Sequence, residues 1–367
     1  MLQRRDFLAT LTAAAAASAL APLPAAAAGG LDPQNPNIKF GTTGSYFGKW
    51  NVAADGRQSL QMSDNVRMIL TDIQHYGLEG FEPYAAQVSA YASNPGALKV
   101  MLQETGIVLA SVGGTVSPPA PAAGRGRGAA PANDPGSWLG GSGRAEMVAQ
   151  MEACARDFLQ PLGVVAWKQN MGNRPPGGPS DDHLKALADT SNEIGRRVKP
   201  FGVKLSLHPH IWGPMEREHE FRRVMEMTDP NYVYLCVDTG HNVLGGMETV
   251  KIVDEFFPRI AHFHLKDTFP RYRGNKETPD QTGHYMDSRG WYASIGQGGG
   301  VDFPGIFRIL RQRRYDGWVV FDVDAPRAGD GTGTVDDNIA ASVNYLRTTL
   351  GVRLPPASGA SGLFKPA

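Results

Sequence analysis

The chain has 367 residues, with 36 basic and 36 acidic side chains and no formal net charge at pH 7. This balance argues against a nucleic-acid surface, and two cysteines, Cys154 and Cys236, are too few for a disulfide framework. The length permits one large domain or two small ones, because α/β barrels commonly exceed about 250 residues as one unit.

The first 28 residues have the order of an export signal. Arg4 and Arg5 precede Phe7 and Leu8, an uncharged alanine-rich stretch follows, and residues 25–28 are small residues suited to cleavage. This order resembles a twin-arginine signal peptide, which predicts a periplasmic protein that is exported after folding. We expect no membrane span, because no other part of the chain has 18 consecutive apolar residues.

Residues 37–352 alternate short β-rich runs with amphipathic helical patterns, which is typical of βα units around a parallel sheet. Eight strands are predicted, at 38–42, 78–83, 108–112, 164–169, 203–208, 233–238, 260–265 and 318–323. Eight strands with eight crossovers favour a single-domain (β/α)8 TIM barrel of the α/β class. An open doubly wound sheet is disfavoured, because the first strand is not followed by a phosphate-binding glycine pattern.

Helical spacing predicts helices at 147–159, at 184–198 with Asp181 and Asp182 as cap candidates, and at 303–310. Several segments are expected outside the packed barrel. They are a linker at 29–36, a Pro/Ala/Gly/Arg-rich insert at 117–143, a lid-like loop at 269–300 and a flexible tail at 353–367.

Side chains that commonly bind metals occur at the ends of the last four predicted strands. They are His208 and His210, Asp238 and His241, His262 and His264, and Asp322 and Asp324. Because the carboxyl ends of barrel strands form one rim, one side chain from each strand is expected to converge there. A lone buried His or Asp is usually a hydrogen-bonded core residue. Four facing each other without a cation would cost several kcal/mol, which predicts a divalent metal bound by His208, Asp238, His264 and Asp322.

Four motifs make a family resemblance specific. They are Asp238-Thr239-Gly240-His241, His262-Phe263-His264-Leu265-Lys266-Asp267, Gly296-Gln297-Gly298 and the run from Tyr315 to Val320. In order and spacing these resemble the xylose isomerase-like superfamily of sugar isomerases and epimerases, with inosose dehydratases most similar, over residues 37–350. The resemblance implies a TIM barrel, a sugar substrate and one divalent ion held by Glu, Asp, His and Glu from four successive strands.

Two of the matching positions depart from that pattern. His208 stands where Glu is usual, and Asp322 is one methylene shorter than the usual Glu. Two imidazoles and two carboxylates should prefer manganese, iron, cobalt or zinc over magnesium. The simplest epimerase mechanism is also weakened, because family epimerases use those two glutamates as opposed acid and base.

The chemistry that remains is removal of a proton next to a carbonyl, with stabilisation of an enediolate. Reprotonation gives isomerisation or epimerisation, whereas loss of a β-substituent gives dehydration or another lyase reaction. The candidate catalytic groups are His208, His210, His241 and Lys266, with Asp322 as a further candidate base. Glu82, Trp212 and Trp291 are the candidate substrate contacts, since they fall in the predicted rim.

Two other functional classes stay open. The replaced glutamates also fit a non-catalytic periplasmic sugar-binding barrel. A metal-dependent hydrolase or endonuclease would need more His and Glu ligands and a basic groove, and neither is evident. The expected partner is a small-molecule sugar, with no nucleic acid and no membrane, and homo-oligomers are common in the family that the chain resembles.

Overall fold

The structure is a computed structural model that describes residues 32–52, 58–118, 136–278, 291–322 and 335–354. The predicted signal peptide lies outside the described residues, as do residues 29–31 of the linker, 119–135 of the insert, 279–290 of the lid, Asp324 and residues 355–367 of the tail. Export, cleavage and lid function therefore stay predictions.

Eight parallel strands form one curled sheet that closes on itself. The structure describes ten strands, of which β2 and β3 lie outside this sheet. In chain order they are β1 (Ile38–Thr43), β2 (Gly48–Val52), β3 (Gln58–Met62), β4 (Gly80–Glu82), β5 (Val108–Leu109), β6 (Ala166–Gln169), β7 (Lys204–Leu207), β8 (Val233–Asp238), β9 (Ile260–Leu265) and β10 (Gly317–Phe321). The strands of the barrel are neighbours in the order β5-β4-β1-β10-β9-β8-β7-β6. A parallel bridge from Gly113, which follows β5, to Lys168 in β6 completes the ring. The predicted (β/α)8 barrel is confirmed.

The remaining two strands, β2 and β3, pair antiparallel as a hairpin between β1 and the first helix. The described helices are α1 (Val66–His75), α2 (Ala85–Val88), α3 (Pro95–Thr105), α4 (Arg144–Cys154), α5 (Asp181–Val198), α6 (Glu218–Met227), α7 (Thr239–Leu244), α8 (Thr249–Glu255), α9 (Phe303–Gln312) and α10 (Val335–Thr348). The helix predicted at 147–159 is α4 followed by a π-helical turn at Ala155–Leu159. Within the described ranges, no helix combines the length and apolar character that a bilayer crossing requires.

The barrel interior is filled by side chains that alternate along the strands. In β9, for example, His262 and His264 lie on one face of the strand, two residues apart. Near the amino-terminal end of β10, Trp318 packs so closely on Gly80 that a Cβ there would lie 2.4 Å from its ring.

The start of α5 corrects one expectation. The capping residue is Ser180, whose hydroxyl accepts a hydrogen bond from the His183 backbone N–H at 3.2 Å. The Ser180 N–H in turn donates to His183 Nδ1, also at 3.2 Å, which completes a capping box. The prediction that Asp181 or Asp182 caps the helix is wrong, because both lie in its first turn and favour it through the helix dipole.

Ser180→Ala should therefore lower the free energy of unfolding by about 1 kcal/mol, because it leaves a backbone N–H at the start of α5 without its acceptor. Asp181→Asn should lower it less, since it removes only an exposed charge near the dipole. Equilibrium unfolding in urea measures both variants. A greater loss for Asp181→Asn than for Ser180→Ala would contradict this assignment.

Candidate active site

The carboxyl ends of β7 to β10 bring the four predicted metal ligands together. His208 directly follows β7, Asp238 ends β8, His264 lies in β9 and Asp322 directly follows β10. One nitrogen or oxygen from each of the four lies within 4.8 Å of the others. All four residues are at most 3 % exposed. The convergence that was expected from the strand ends is therefore present.

The atoms that converge are mutually close and incompletely satisfied. Asp238 Oδ2 lies 3.5 Å from His208 Nε2 and 3.7 Å from His264 Nδ1. His264 Nδ1 is also 3.0 Å from Asp322 Oδ2. Among the described residues, His208 Nε2 and Asp238 Oδ2 are buried without a hydrogen-bond partner. Buried polar atoms rarely remain unsatisfied, so these two atoms are available to a ligand.

The two histidines have their outer ring nitrogens fixed by hydrogen bonds. His208 Nδ1 donates to Asn170 Oδ1 at 2.8 Å, which leaves the lone pair of Nε2 directed at the cluster. His264 Nε2 donates to Glu82 Oε1 at 2.9 Å, which directs Nδ1 at the same point. A carboxylate or amide oxygen behind a ligating imidazole commonly sets its tautomer in metal sites.

The two carboxylates are anchored in the same way. Asp238 Oδ1 accepts from the His241 backbone N–H at 2.7 Å and so caps α7. Asp322 Oδ1 accepts from Thr43 Oγ1 at 3.1 Å and from Ser45 Oγ at 3.2 Å. In each carboxylate the second oxygen, Oδ2, faces the cluster. Each of the four side chains therefore has one polar atom bound to the protein and one presented to a common point.

The proximity of these groups shifts their pKa values. Burial alone would raise the pKa of the Asp238 carboxyl, but the His241 imidazole and its other neighbours hold it well below its ordinary value. Burial alone would lower the pKa of His264, but Cys236, Glu82 and Asp322 raise it well above its ordinary value. A cation at the centre would compete with a proton for His264 Nδ1.

Glu82 was predicted to be a substrate contact on the rim, but its side chain is buried. It is 1 % exposed, and its two carboxylate oxygens accept hydrogen bonds from His262 Nε2 at 3.1 Å and His264 Nε2 at 2.9 Å. Burial alone would raise the pKa of Glu82, but the two histidines hold it well below its ordinary value. In this arrangement Glu82 supports His264, and its contact with substrate hydroxyls stays a prediction.

His210 and His241 form a close pair of imidazole rings beside the cluster, with an angle of 40° between the ring planes. Their ring centroids are 3.6 Å apart, and His241 lies in hydrogen-bond range of Tyr292, with 3.2 Å between Nδ1 and the hydroxyl oxygen. Burial lowers the pKa of His210 to about 4 and the pKa of His241 well below its ordinary value. Lys266 lies next to them, with its Nζ 3.5 Å from Asp322 Oδ2 and 4.3 Å from the centre of the Tyr292 ring.

The two predicted tryptophans belong to a small hydrophobic cluster next to the histidine pair. Trp291 is buried against Ile211 and Leu244, and the half-buried Trp212 packs on the same cluster. Trp212 has a φ of +66°, a left-handed conformation that costs a non-glycine residue about 1–2 kcal/mol. Its N–H donates to the buried Glu216 Oε2 at 2.6 Å, which helps to hold the strained residue in place.

Sequence reasoning missed several side chains that complete the site. Lys168 in β6 is 3 % exposed, with its Nζ 4.0 Å from Glu82 Oε1 and 4.7 Å from the centre of the Tyr84 ring. Burial alone would lower the pKa of Lys168, but Tyr84 and Glu82 raise it above its ordinary value. A lysine inside a short strand was the available signal. Asn170, Thr43 and Ser45, the partners of the predicted ligands, were also missed.

Comparison with known proteins identifies the family. The profile of the xylose isomerase-like TIM barrel family matches residues 70–349, more than half of the chain. The protein therefore belongs to the xylose isomerase-like TIM barrel family.

More specific similarities are partial. An inosose dehydratase from Clostridium beijerinckii is 32% identical over 145 residues, which is 40% of this chain and 48% of that protein. The chain thus spans about half the length of the curated relatives it matches.

Among solved structures, 3-keto-D-glucoside 4-epimerase, YcjR, from E. coli has a TM-score of 0.57 at 18% identity, covering 85% of this chain and 99% of that one. The IOLI protein with a binding zinc atom has a TM-score of 0.58 at 15% identity, covering 84% and 96%. At these identities the structures support the fold alone.

Proposed function

We propose that this protein is a divalent-metal-dependent enzyme that removes a proton next to the carbonyl of a sugar or keto-sugar. The observation that carries the proposal is the set of four anchored side chains, each presenting one atom to a common buried point. The similarity to an inosose dehydratase and the shared fold of sugar epimerases support the substrate class. Because of the predicted export signal, the proposed location is the periplasm.

The residues present fit a metal ion. A cation would bind the two buried atoms that lack a hydrogen-bond partner, His208 Nε2 and Asp238 Oδ2. With His264 Nδ1 and Asp322 Oδ2 the set has two nitrogens and two oxygens, which favours manganese, iron, cobalt or zinc over magnesium. When bound, the ion supplies a Lewis acid that polarises the substrate carbonyl.

The surrounding residues would handle the proton and the sugar. The paired imidazoles of His210 and His241 lie beside the cluster, where one can take the proton from the carbon next to the carbonyl. Lys266 holds a substrate oxygen through its ammonium group, and the half-buried Trp212 offers an aromatic face to the sugar ring. Trp291 is buried against Ile211 and Leu244 and supports this side of the site. His208 serves mainly as a ligand, because its inner nitrogen faces the cluster.

The fate of the electrons left on the substrate decides the reaction. If a proton returns to the same or the neighbouring carbon, the product is an epimer or an isomer. If the β-substituent leaves with its bonding electrons, the reaction is a dehydration or another elimination. The names of the relatives include both outcomes, so the proposal covers isomerase, epimerase and lyase chemistry.

His264→Ala should abolish stoichiometric metal binding. It removes one ligand and also the imidazole through which Glu82 supports the cluster. Loss of supporting contacts alone typically weakens metal binding 10–100-fold. Elemental analysis and titration with Mn²⁺ measure the effect. The control is His219→Ala on α6, whose side chain is 80 % exposed and is not part of the cluster. Full metal occupancy in His264→Ala would contradict the proposed centre.

His241→Gln and His210→Gln should each retain the metal but exchange the substrate proton more slowly, by about 10²–10⁴-fold for the residue that acts as base. The measurement follows deuterium incorporation from heavy water into a panel of keto-sugars. His75→Gln, at the exposed end of α1, is the matched control. Wild-type exchange in both site variants would exclude them as the base. A metal-loaded wild type that exchanges no keto-sugar would favour the sugar-binding alternative.

A further inference from the structure

Two buried lysines adjoin the proposed metal centre. Lys168 and Lys266 are each 3 % exposed, and their ammonium groups approach different carboxylates of the site, Glu82 and Asp322. Lysines are almost never buried unless a partner stabilises their charge. The role of these two lysines therefore depends on which groups their ammonium ions contact.

The carboxylates near the two lysines are already engaged. Both oxygens of Glu82 accept hydrogen bonds from histidines, and Lys168 Nζ remains 4.0 Å from the nearer one, beyond hydrogen-bond distance. Asp322 Oδ1 is bound by two hydroxyls, while its Oδ2 faces the cluster, 3.5 Å from Lys266 Nζ. Both ammonium groups also lie over tyrosine rings, which stabilise a cation without neutralising its charge.

A divalent cation would add two positive charges to the site. Around the cluster, the described residues supply the carboxylates of Glu82, Asp238 and Asp322 and the ammonium groups of the two lysines. With the cation bound, these groups would bring four positive charges against three negative ones. A buried positive charge is costly unless it is compensated, so the loaded site favours an anionic ligand oxygen.

We propose that Lys168 is a second cationic binding residue which, together with Lys266, holds an anionic oxygen of the bound sugar. This inference rests on the proposed function and deepens it. Two different groups could supply this negatively charged oxygen. It is either the enediolate oxygen that appears when the proton is removed, or an oxygen of the permanent carboxylate of a sugar acid.

The test uses oxalate, whose two adjacent oxygens on planar carbons resemble an enediolate and carry negative charge. Calorimetric titration of the Mn²⁺-loaded full chain compares wild type, Lys168→Met and Lys168→Arg. Lys168→Met should weaken oxalate binding about 10–100-fold, and Lys168→Arg should recover most of it because it keeps the charge. The control is Lys185→Met, a lysine that is 66 % exposed and pairs with Asp189 on α5.

Metal content and circular dichroism of each variant are measured first, and Lys168→Gln replaces Lys168→Met if the latter does not fold. Wild-type oxalate affinity in the folded, metal-loaded neutral variant would overturn the proposal. So would failure of the loaded wild type to bind oxalate. A wild type that binds oxalate through Lys168 but exchanges no keto-sugar proton would refute the proposed function alone.

Two further arms separate the sources of the anionic oxygen. If it arises on a neutral keto-sugar, Lys168→Met should slow proton exchange of D-fructose or another active neutral ketose while leaving its Kd nearly unchanged. If it is a permanent carboxylate, Lys168→Met should raise the Kd of 5-keto-D-gluconate about tenfold or more, with little effect on the neutral ketose. Either pattern supports an anionic oxygen at Lys168, and an unchanged rate and Kd for both sugars contradict it.

Discussion

The site depends on one electrostatic constraint, which is that carboxylates and imidazoles are buried within a few ångströms of each other. Parallel strands in a closed barrel deliver their carboxyl ends to the same rim, so the side chains at those ends cannot avoid one another. Asp238 Oδ2 illustrates the result, since it lies within 3.7 Å of two imidazole nitrogens and has no hydrogen bond in the described part of the chain. A divalent cation would bind these atoms and also bring positive charge to the buried carboxylates, which neither a water molecule nor an apolar group can do.

The surrounding structure is organised to maintain that constraint. Strand β1 contributes Thr43 behind Asp322, strand β4 contributes Glu82 behind His264, and the residue after β6 contributes Asn170 behind His208. Barrel strands without a proposed ligand therefore position the ligands of the others. This division explains why side chains from both halves of the barrel matter, although the characteristic motifs lie in the second half.

Much of this arrangement follows from local patterns. The period of two in β9 places His262 and His264 on one face, and the position of Asp238 at the end of β8 places it on the rim. Partners on different strands were not predictable, because nothing in the local sequence joins Lys168 to Glu82 or Asn170 to His208. The hairpin of β2 and β3 and the Ser180 cap were also missed. In the latter case the acidic first turn resembled a cap, while the deciding contact was a hydroxyl one residue earlier.

The most direct test of the metal centre is anomalous diffraction from crystals of the full chain grown with Mn²⁺. The account predicts one strong manganese peak about 2.0–2.3 Å from His208 Nε2, Asp238 Oδ2, His264 Nδ1 and Asp322 Oδ2. Data collected above and below the manganese absorption edge identify the element. A peak elsewhere in the molecule, or a well-ordered site with water in place of the ion at saturating Mn²⁺, would contradict it.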